Sequence, residues 1–168
     1  MLDTFWLNFF RKEAAEKTLQ DILREIPVFN GLNAKELKEI EKIIHRRQFQ
    51  KGEPVFREHE AAIGMYIITE GQVQITVQGK LNDESIPLAT LDIADFFGEI
   101  SLFDESPRSA SATAIEPTVL YALLRPDLFA YIERKPGTGI KLISNLVKII
   151  GERLRRTNQE LKTLHLHD

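Results

Sequence analysis

The middle of the chain, residues 46–125, alternates apolar and polar side chains with a period of two, and this pattern constrains the fold most strongly. The alternation is clear over residues 65–69, 73–78 and 119–123. Turn-forming pairs divide the segment at Lys51-Gly52, Glu70-Gly71, Gln78-Gly79, Asn82-Asp83 and Glu116-Pro117. Short strands spaced about 8–12 residues apart predict a sandwich or barrel. Parallel βαβ units are disfavoured because no helix-length pattern separates the strands.

The first 45 residues have apolar side chains at helical spacing instead. These are Leu2, Phe5, Trp6 and Phe9, then Leu19, Ile22, Leu23 and Ile26. They predict an N-terminal amphipathic helix over residues 1–26, ended by Pro27. Asn33 followed by Glu36 resembles a capping box and predicts the start of a second, short helix.

Helical spacing returns after Pro126. We expect a short helix over residues 127–134, a break and hinge at Pro136-Gly137, and a long helix from Ile140 to about Leu164. Its apolar seam consists of Ile143, Val147, Ile150, Leu154, Thr157, Leu161 and Leu164. Steps of four and three residues are the heptad spacing of a coiled coil, which favours a homodimer. The alternative is that this helix packs on its own barrel.

Composition excludes several functional classes. With 22 basic and 25 acidic residues, the net charge of −3 argues against a strongly basic nucleic-acid binder. The chain has no cysteine, which excludes a disulfide scaffold, a thiol nucleophile and a Cys-ligated metal, and which fits a cytoplasmic protein. No apolar run reaches the ~18 residues of a membrane span. No metal or catalytic triad is expected from four scattered histidines.

The segment 97–112 has the residue types of an anion site. Gly98 permits a tight turn after a strand, and residues 99–103 can form one helical turn with free N–H groups. Arg108 can return to the same place, where its guanidinium suits two oxygens of a phosphate. Ser109 adds a hydroxyl, and Glu99 can accept hydrogen bonds from sugar hydroxyls. Together they indicate a nucleotide monophosphate, unless Glu99 and Arg108 simply pair with each other.

The order of these residues resembles the phosphate-binding cassette of the cyclic nucleotide-binding domain family. The matching positions are Phe97-Gly98-Glu99, Ser101-Leu102 and Arg108-Ser109-Ala110. The similarity continues upstream through Gly52-Glu53, Val55-Phe56, Met65–Ile68, Gly71 and Val73, and downstream through the strand 118–124. It covers about residues 26–160.

The resemblance implies a mainly β, α+β fold: an eight-stranded antiparallel β-roll of jelly-roll type with N-terminal helices and a long C-terminal helix. We expect the roll over residues 27–135, and a hinge with the lid and dimer helix over residues 136–168. In the ligand site, Glu99 would hold the ribose 2′-hydroxyl and Arg108, assisted by Ser109, the cyclic phosphate. The cassette positions Gly98, Ile100, Ser101 and Ala110 would line the same site.

The long helix has a more specific similarity. Residues 153–158 (RLRRTN) resemble the dimer helix of the catabolite activator proteins, the cAMP receptor proteins. That resemblance implies that Thr157 contacts the adenine amino group and that Asn158 reaches the ligand of the other subunit. The ligand is thus expected to be cAMP, with cGMP left open by the Ser109 hydroxyl. Alternatively, Thr157 only sets the register of the seam.

Two turns depart from the family pattern. Gly-Asp is replaced by His59-Glu60, and a glycine by Ala94. Both substitutions are expected to place a side chain on backbone with positive φ.

We therefore expect a non-enzymatic cyclic nucleotide sensor that signals through its lid helix to an unknown downstream protein. No recognition helix follows the long helix, so DNA binding is not expected. The aromatic N-terminus is expected to pack on the roll or in a dimer, with partner docking as the alternative and membrane contact the weakest possibility. Two other functions remain open: a module with the same fold that lost its ligand, and a truncated DNA-binding regulator.

Overall fold

The computed structural model describes residues 17–79 and 84–165 of the chain. The helices are α1 (Leu19–Glu25), α2 (Ala34–Glu41), α3 (Arg125–Arg134) and α4 (Pro136–His165), with single 3-10 turns at Pro27–Phe29 and Glu99–Leu102. The strands are β1 (Ile44–Phe49), β2 (Pro54–Phe56), β3 (Gly64–Glu70), β4 (Val73–Gln78), β5 (Ser85–Leu91), β6 (Phe96–Phe97), β7 (Ser111–Ala114) and β8 (Thr118–Leu124).

The eight strands form two four-stranded sheets, in the orders β1-β8-β3-β6 and β2-β7-β4-β5. Every strand pair is antiparallel, which confirms the predicted β-roll. Because side chains alternate across a strand, the two faces of the first sheet contribute to two different cores. One core lies between the sheets and consists of Ile68, Val73, Phe97, Ala112 and Leu120.

A second core lies on the outer face of the first sheet, where the helices pack. From the sheet, Met65, Ile67 and Leu123 contribute to it, and all three are fully buried. The helices and the 3-10 turn contribute Leu23, Ile26, Phe29, Leu37, Leu128, Leu142 and Leu146. Burial of this apolar surface fixes the start of α4 against the roll.

The N-terminal helix prediction is partly wrong. Thr18 has extended backbone (φ −64°, ψ 157°) and caps α1, so one helix over residues 1–26 cannot pass through it. The aromatic stretch with Phe5 and Trp6 lies outside the described residues, as do the turn at Asn82-Asp83 and the side chain of Leu164. The capping box of Asn33 and Glu36 is confirmed, since Asn33 accepts from two backbone N–H groups and Glu36 reaches back to the Asn33 N–H.

The C-terminal helices also differ slightly from the prediction. The break falls at Lys135, which is not helical (φ −135°, ψ 64°), and α4 already begins at Pro136. The break predicted at Pro136-Gly137 is therefore one residue late, and the long helix starts before Ile140. No helix among the described residues is long and apolar enough to cross a membrane.

Glu36 connects the first helices to the start of α4. Its carboxylate accepts from the Asn33 N–H, from Lys141 Nζ at 2.9 Å and from Thr138 Oγ1 at 2.8 Å. Asn145, one turn after Lys141, donates to the carbonyls of Val28 and Asn30. The first third of α4 is thus held to the 3-10 turn and α2 by polar contacts as well as by apolar packing.

Glu36→Gln should lower stability in a pH-dependent way. The Asn33 N–H bond, then Lys141, lower the pKa of Glu36 from 4.5 to about 2. Glutamine keeps the capping bond but loses the charge, so we expect a loss of about 1–3 kcal/mol at pH 7. Because the folded pKa is depressed, this difference should fade as pH decreases from about 4.5 to about 2. Urea unfolding at several pH values measures it; a constant difference would contradict the account.

Candidate phosphate and sugar site

Gly98 opens the candidate site directly after the two-residue strand β6. Its φ of +75° is left-handed, and a Cβ built on it would lie 2.5 Å from Arg108 Nη1. Any other residue would therefore meet both backbone strain and the guanidinium. The predicted need for glycine after the strand is confirmed.

Arg108 is the central side chain of the site, and only 6% of it is exposed. Its Nη1 donates to Ser101 Oγ at 2.9 Å and its Nη2 to the Gly64 carbonyl at 2.8 Å. The guanidinium carbon lies 4.0 Å from the centroid of the Phe56 ring. These contacts hold the guanidinium in one orientation at the floor of the cassette.

The charge of Arg108 is not neutralised by a carboxylate within ion-pair distance among residues 17–79 and 84–165. Its Nε–H is buried without a hydrogen-bond acceptor. Desolvation lowers the pKa of the guanidinium, so burial opposes the charge that this side chain nonetheless keeps. Tyr66 and the Glu60 carboxylate favour the charged form, but neither forms an ion pair with Arg108 among the described residues. A buried cation with an unused donor and no such pair favours an anionic ligand.

Glu99 begins the 3-10 turn after Gly98 and is 4% exposed. It does not pair with Arg108, so the alternative of a simple Glu99–Arg108 pair is wrong. Its carboxylate instead accepts from Arg153 Nη1 of α4 at 2.7 Å. Arg153 also donates to the Phe96 carbonyl at 3.1 Å and lies over the Phe96 ring, 4.7 Å from its centroid.

Arg153 is the residue of the candidate site that sequence reasoning missed. It lies one helical turn before Thr157, on the helix already expected to cover the ligand. This spacing could have indicated the contact, because a basic side chain one turn before Thr157 can reach the acidic Glu99 of the cassette. The contact makes the cassette and α4 parts of one site.

The remaining cassette residues have unequal environments. Ser101 is buried, and its hydroxyl donates to the Gly64 carbonyl at 2.8 Å while accepting from Arg108. The hydroxyl therefore positions the guanidinium, beyond the lining role predicted for this residue. Ile100 and Ser109 are exposed and Ala110 is half-buried.

Thr157 and Asn158 lie on the exposed part of α4. The Thr157 hydroxyl donates to the Arg153 carbonyl of its own helix at 3.1 Å. The turn of α4 before Thr157 contacts Glu99 through the side chain of Arg153. The predicted contacts of Thr157 and Asn158 with a base and with a second subunit stay predictions.

The two departures from the family pattern are strained as expected, with φ of 69° at His59 and 70° at Ala94. The His59-Glu60 turn also holds the backbone of Arg108. The His59 N–H donates to the Arg108 carbonyl at 2.8 Å, and the Arg108 N–H donates to the Glu60 carbonyl at 2.9 Å. The His59-Glu60 turn therefore supports the backbone of Arg108 through two hydrogen bonds. No cluster suited to a metal ion occurs within the described ranges.

Comparison with known proteins identifies similar sequences and structures. The family model "Cyclic nucleotide-binding domain" matches residues 46–135, more than half of the 168 residues. The cyclic AMP receptor protein of Thermus thermophilus is 34% identical over 142 residues, covering 84% of this chain and 63% of the relative. A cAMP-activated global transcriptional regulator of Mycobacterium tuberculosis is 31% identical over 150 residues, covering 89% of this chain and 65% of the relative.

A solved structure agrees with the sequence relatives. The crystal structure of the Thermus thermophilus catabolite activator protein superposes with a TM-score of 0.75 at 35% identity. The match covers 83% of this chain and 63% of the other. The chain thus spans less than two thirds of the length of these relatives.

Proposed function

The chain belongs to the cyclic nucleotide-binding domain family, and from this membership we propose that it is a cAMP sensor. The observation that carries the proposal is the buried Arg108 guanidinium, which lacks a carboxylate partner in the described structure and has an unused Nε–H. A cyclic phosphate would supply the missing negative charge and acceptor. The cAMP relatives support adenine as the base, and cGMP is the alternative.

In this proposal different cassette residues bind different parts of the ligand. Arg108 binds the phosphate, held in orientation by Ser101, Gly64 and Phe56. Ser109 is exposed beside it and can turn its hydroxyl to a phosphate oxygen. Glu99 accepts the ribose 2′-hydroxyl with the carboxylate that already pairs with Arg153.

The contact between Glu99 and Arg153 supports signalling through α4. A ribose hydroxyl that donates to Glu99 would change the strength of the ion pair between Glu99 and Arg153. It would therefore change how stable α4 is in its present position. For the helix to transmit a signal, the ligand must favour one of its positions over another. A coupling of about 1–3 kcal/mol would be enough to regulate a separate partner protein.

The surface of α4 supports a homodimer as the active form. Leu142 and Leu146, which are fully buried, face the own domain, whereas Val147 and Leu154 remain 62% and 60% exposed. One face of α4 therefore packs on the roll of the same chain, and a different face carries the heptad seam. The uncovered seam favours pairing with a second α4.

Binding should be visible as thermal stabilisation by the cyclic ligand. At a cAMP concentration about 100 times the Kd, linkage gives ~2.7 kcal/mol, or a rise in Tm of roughly 5–10 °C. 5′-AMP is the matched control, since it has the same base and sugar but an open, doubly charged phosphate. If no cyclic nucleotide shifts Tm, the chain is instead a structural module with this fold, and the sensor proposal fails.

Thr157→Ala should narrow the preference between cAMP and cGMP. The hydroxyl is proposed to contact the adenine amino group, so its loss should weaken cAMP by about 0.5–1.5 kcal/mol and leave cGMP unchanged. Calorimetry with both nucleotides measures the difference, and Thr163→Ala on the same helix is the control. Equal losses for both ligands would assign Thr157 to the register of the seam.

A further inference from the structure

The helices cover only part of the outer face of the first sheet. They pack on the end with Met65 and Leu123, whereas the other end, with Val119 and Tyr121, borders an open cavity of about 840 Å³. The other wall of the cavity is α1, through Leu19 and Ile22. This cavity is separate from the cassette, since none of its lining residues belongs to the phosphate and sugar site.

The first described residue of the chain lies at the rim of this cavity. Lys17, the first described residue, lines the cavity and pairs with Glu25 of α1 at 2.6 Å. Thr18 has extended backbone and caps the first turn of α1, so the helix begins at Leu19. The sixteen residues that precede Lys17 are therefore attached at the edge of this cavity.

The preceding segment has the composition that such a face requires. Phe5, Trp6 and Phe9 recur at helical spacing and predict one apolar side. The cavity has an apolar floor and a rim with charges of both signs, from Lys17, Arg46, Glu25 and Glu70. A tethered segment also has a large advantage over a separate protein, because a short linker gives an effective concentration of about millimolar.

We propose that this cavity is the docking site of the chain's own N-terminal segment, residues 1–10, which inserts its aromatic side chains against Val119, Tyr121 and Ile93. Two or three aromatic side chains would fill the cavity, cover the exposed Ile93 and the half-buried Tyr121, and extend the helix-side core. The proposal concerns a different surface from the nucleotide site and does not depend on it.

The sequence provides a clean probe, because Trp6 is the only tryptophan and there is no cysteine. We would introduce Ile93→Cys at the cavity, a position that is 53% exposed, and attach a nitroxide, which quenches tryptophan emission on contact. Leu88→Cys is the matched control, because it is 59% exposed on β5 and does not line the cavity. Glu70→Cys, an exposed rim position, provides a second label if Ile93 does not tolerate one.

The expected result is shielded Trp6 emission in the unlabelled full chain, and loss of most of that emission with the label at position 93 or 70 but not at 88. The quenching should not change on dilution. Solvent-exposed Trp6 emission, or equal quenching from all positions, would overturn the proposal. Quenching that disappears on dilution would assign the cavity to a second copy, and shielding only after adding anionic phospholipid vesicles would assign the segment to a membrane; either result overturns it as well.

Discussion

Arg108→Met is expected to abolish most cyclic nucleotide affinity without destabilising the free protein. Removing one partner of a buried charge pair costs about 2–5 kcal/mol, so Kd should rise from about 30-fold to several thousand-fold. In the free protein, however, the same side chain is a buried cation with an unused Nε–H. Replacing it with an apolar chain of similar length therefore removes a desolvation cost.

The Gly64 carbonyl also accepts from Ser101 Oγ, so it keeps a hydrogen bond after the substitution. We expect the unfolding free energy to change by less than about 1 kcal/mol or to rise. Arg57→Met is the control, because Arg57 is exposed and pairs only loosely with Glu60 at 3.8 Å. Calorimetry and urea unfolding of both variants separate the two effects. A binding loss that merely follows a loss of stability would make Arg108 a structural residue.

Val147→Glu is expected to prevent the dimerisation proposed for α4 and to leave the protein monomeric. Val147 is 62% exposed in one chain but lies on the heptad seam, where two symmetry-related glutamates would face each other without partners. The dimer dissociation constant should rise at least about 100-fold. The monomer fold should not change, because the own domain packs on Leu142 and Leu146 instead.

Lys148→Glu is the matched control, since it changes charge on the adjacent, exposed position outside the seam. Sedimentation equilibrium of the three proteins measures their mass against concentration. We expect a dimer for the wild type and the control, and a monomer for Val147→Glu. A monomeric wild type, or three identical masses, would contradict the proposed seam.

Local signals were reliable where a short stretch of chain determines its own geometry. The capping box of Asn33 and Glu36 needs only residues three apart, and the turn at Gly98 needs only one left-handed residue, so both could be predicted. The strained His59 and Ala94 could be anticipated because the resemblance placed them at turns usually made by glycine. Alternation and turn spacing predicted a sandwich or barrel, and the family resemblance implied the eight-stranded roll.

Contacts between distant segments could not be predicted in this way. Glu99 pairs with Arg153, which lies 54 residues later in the sequence. Ser101 of the 3-10 turn and Gly64 of β3 both accept hydrogen bonds from the Arg108 guanidinium. Tertiary packing determines which arginine pairs with Glu99. Arg108, which is closer in sequence, was therefore a reasonable but wrong alternative. The start of α1 after Thr18 was missed because periodicity alone does not show a cap.

The most direct test of the account is a crystal structure of the protein grown with cAMP. We expect density for the ligand in the cassette, with phosphate oxygens on the Arg108 guanidinium and the ribose 2′-hydroxyl on Glu99. A cassette that remains vacant at saturating ligand, or is filled by the protein's own side chains, would contradict it.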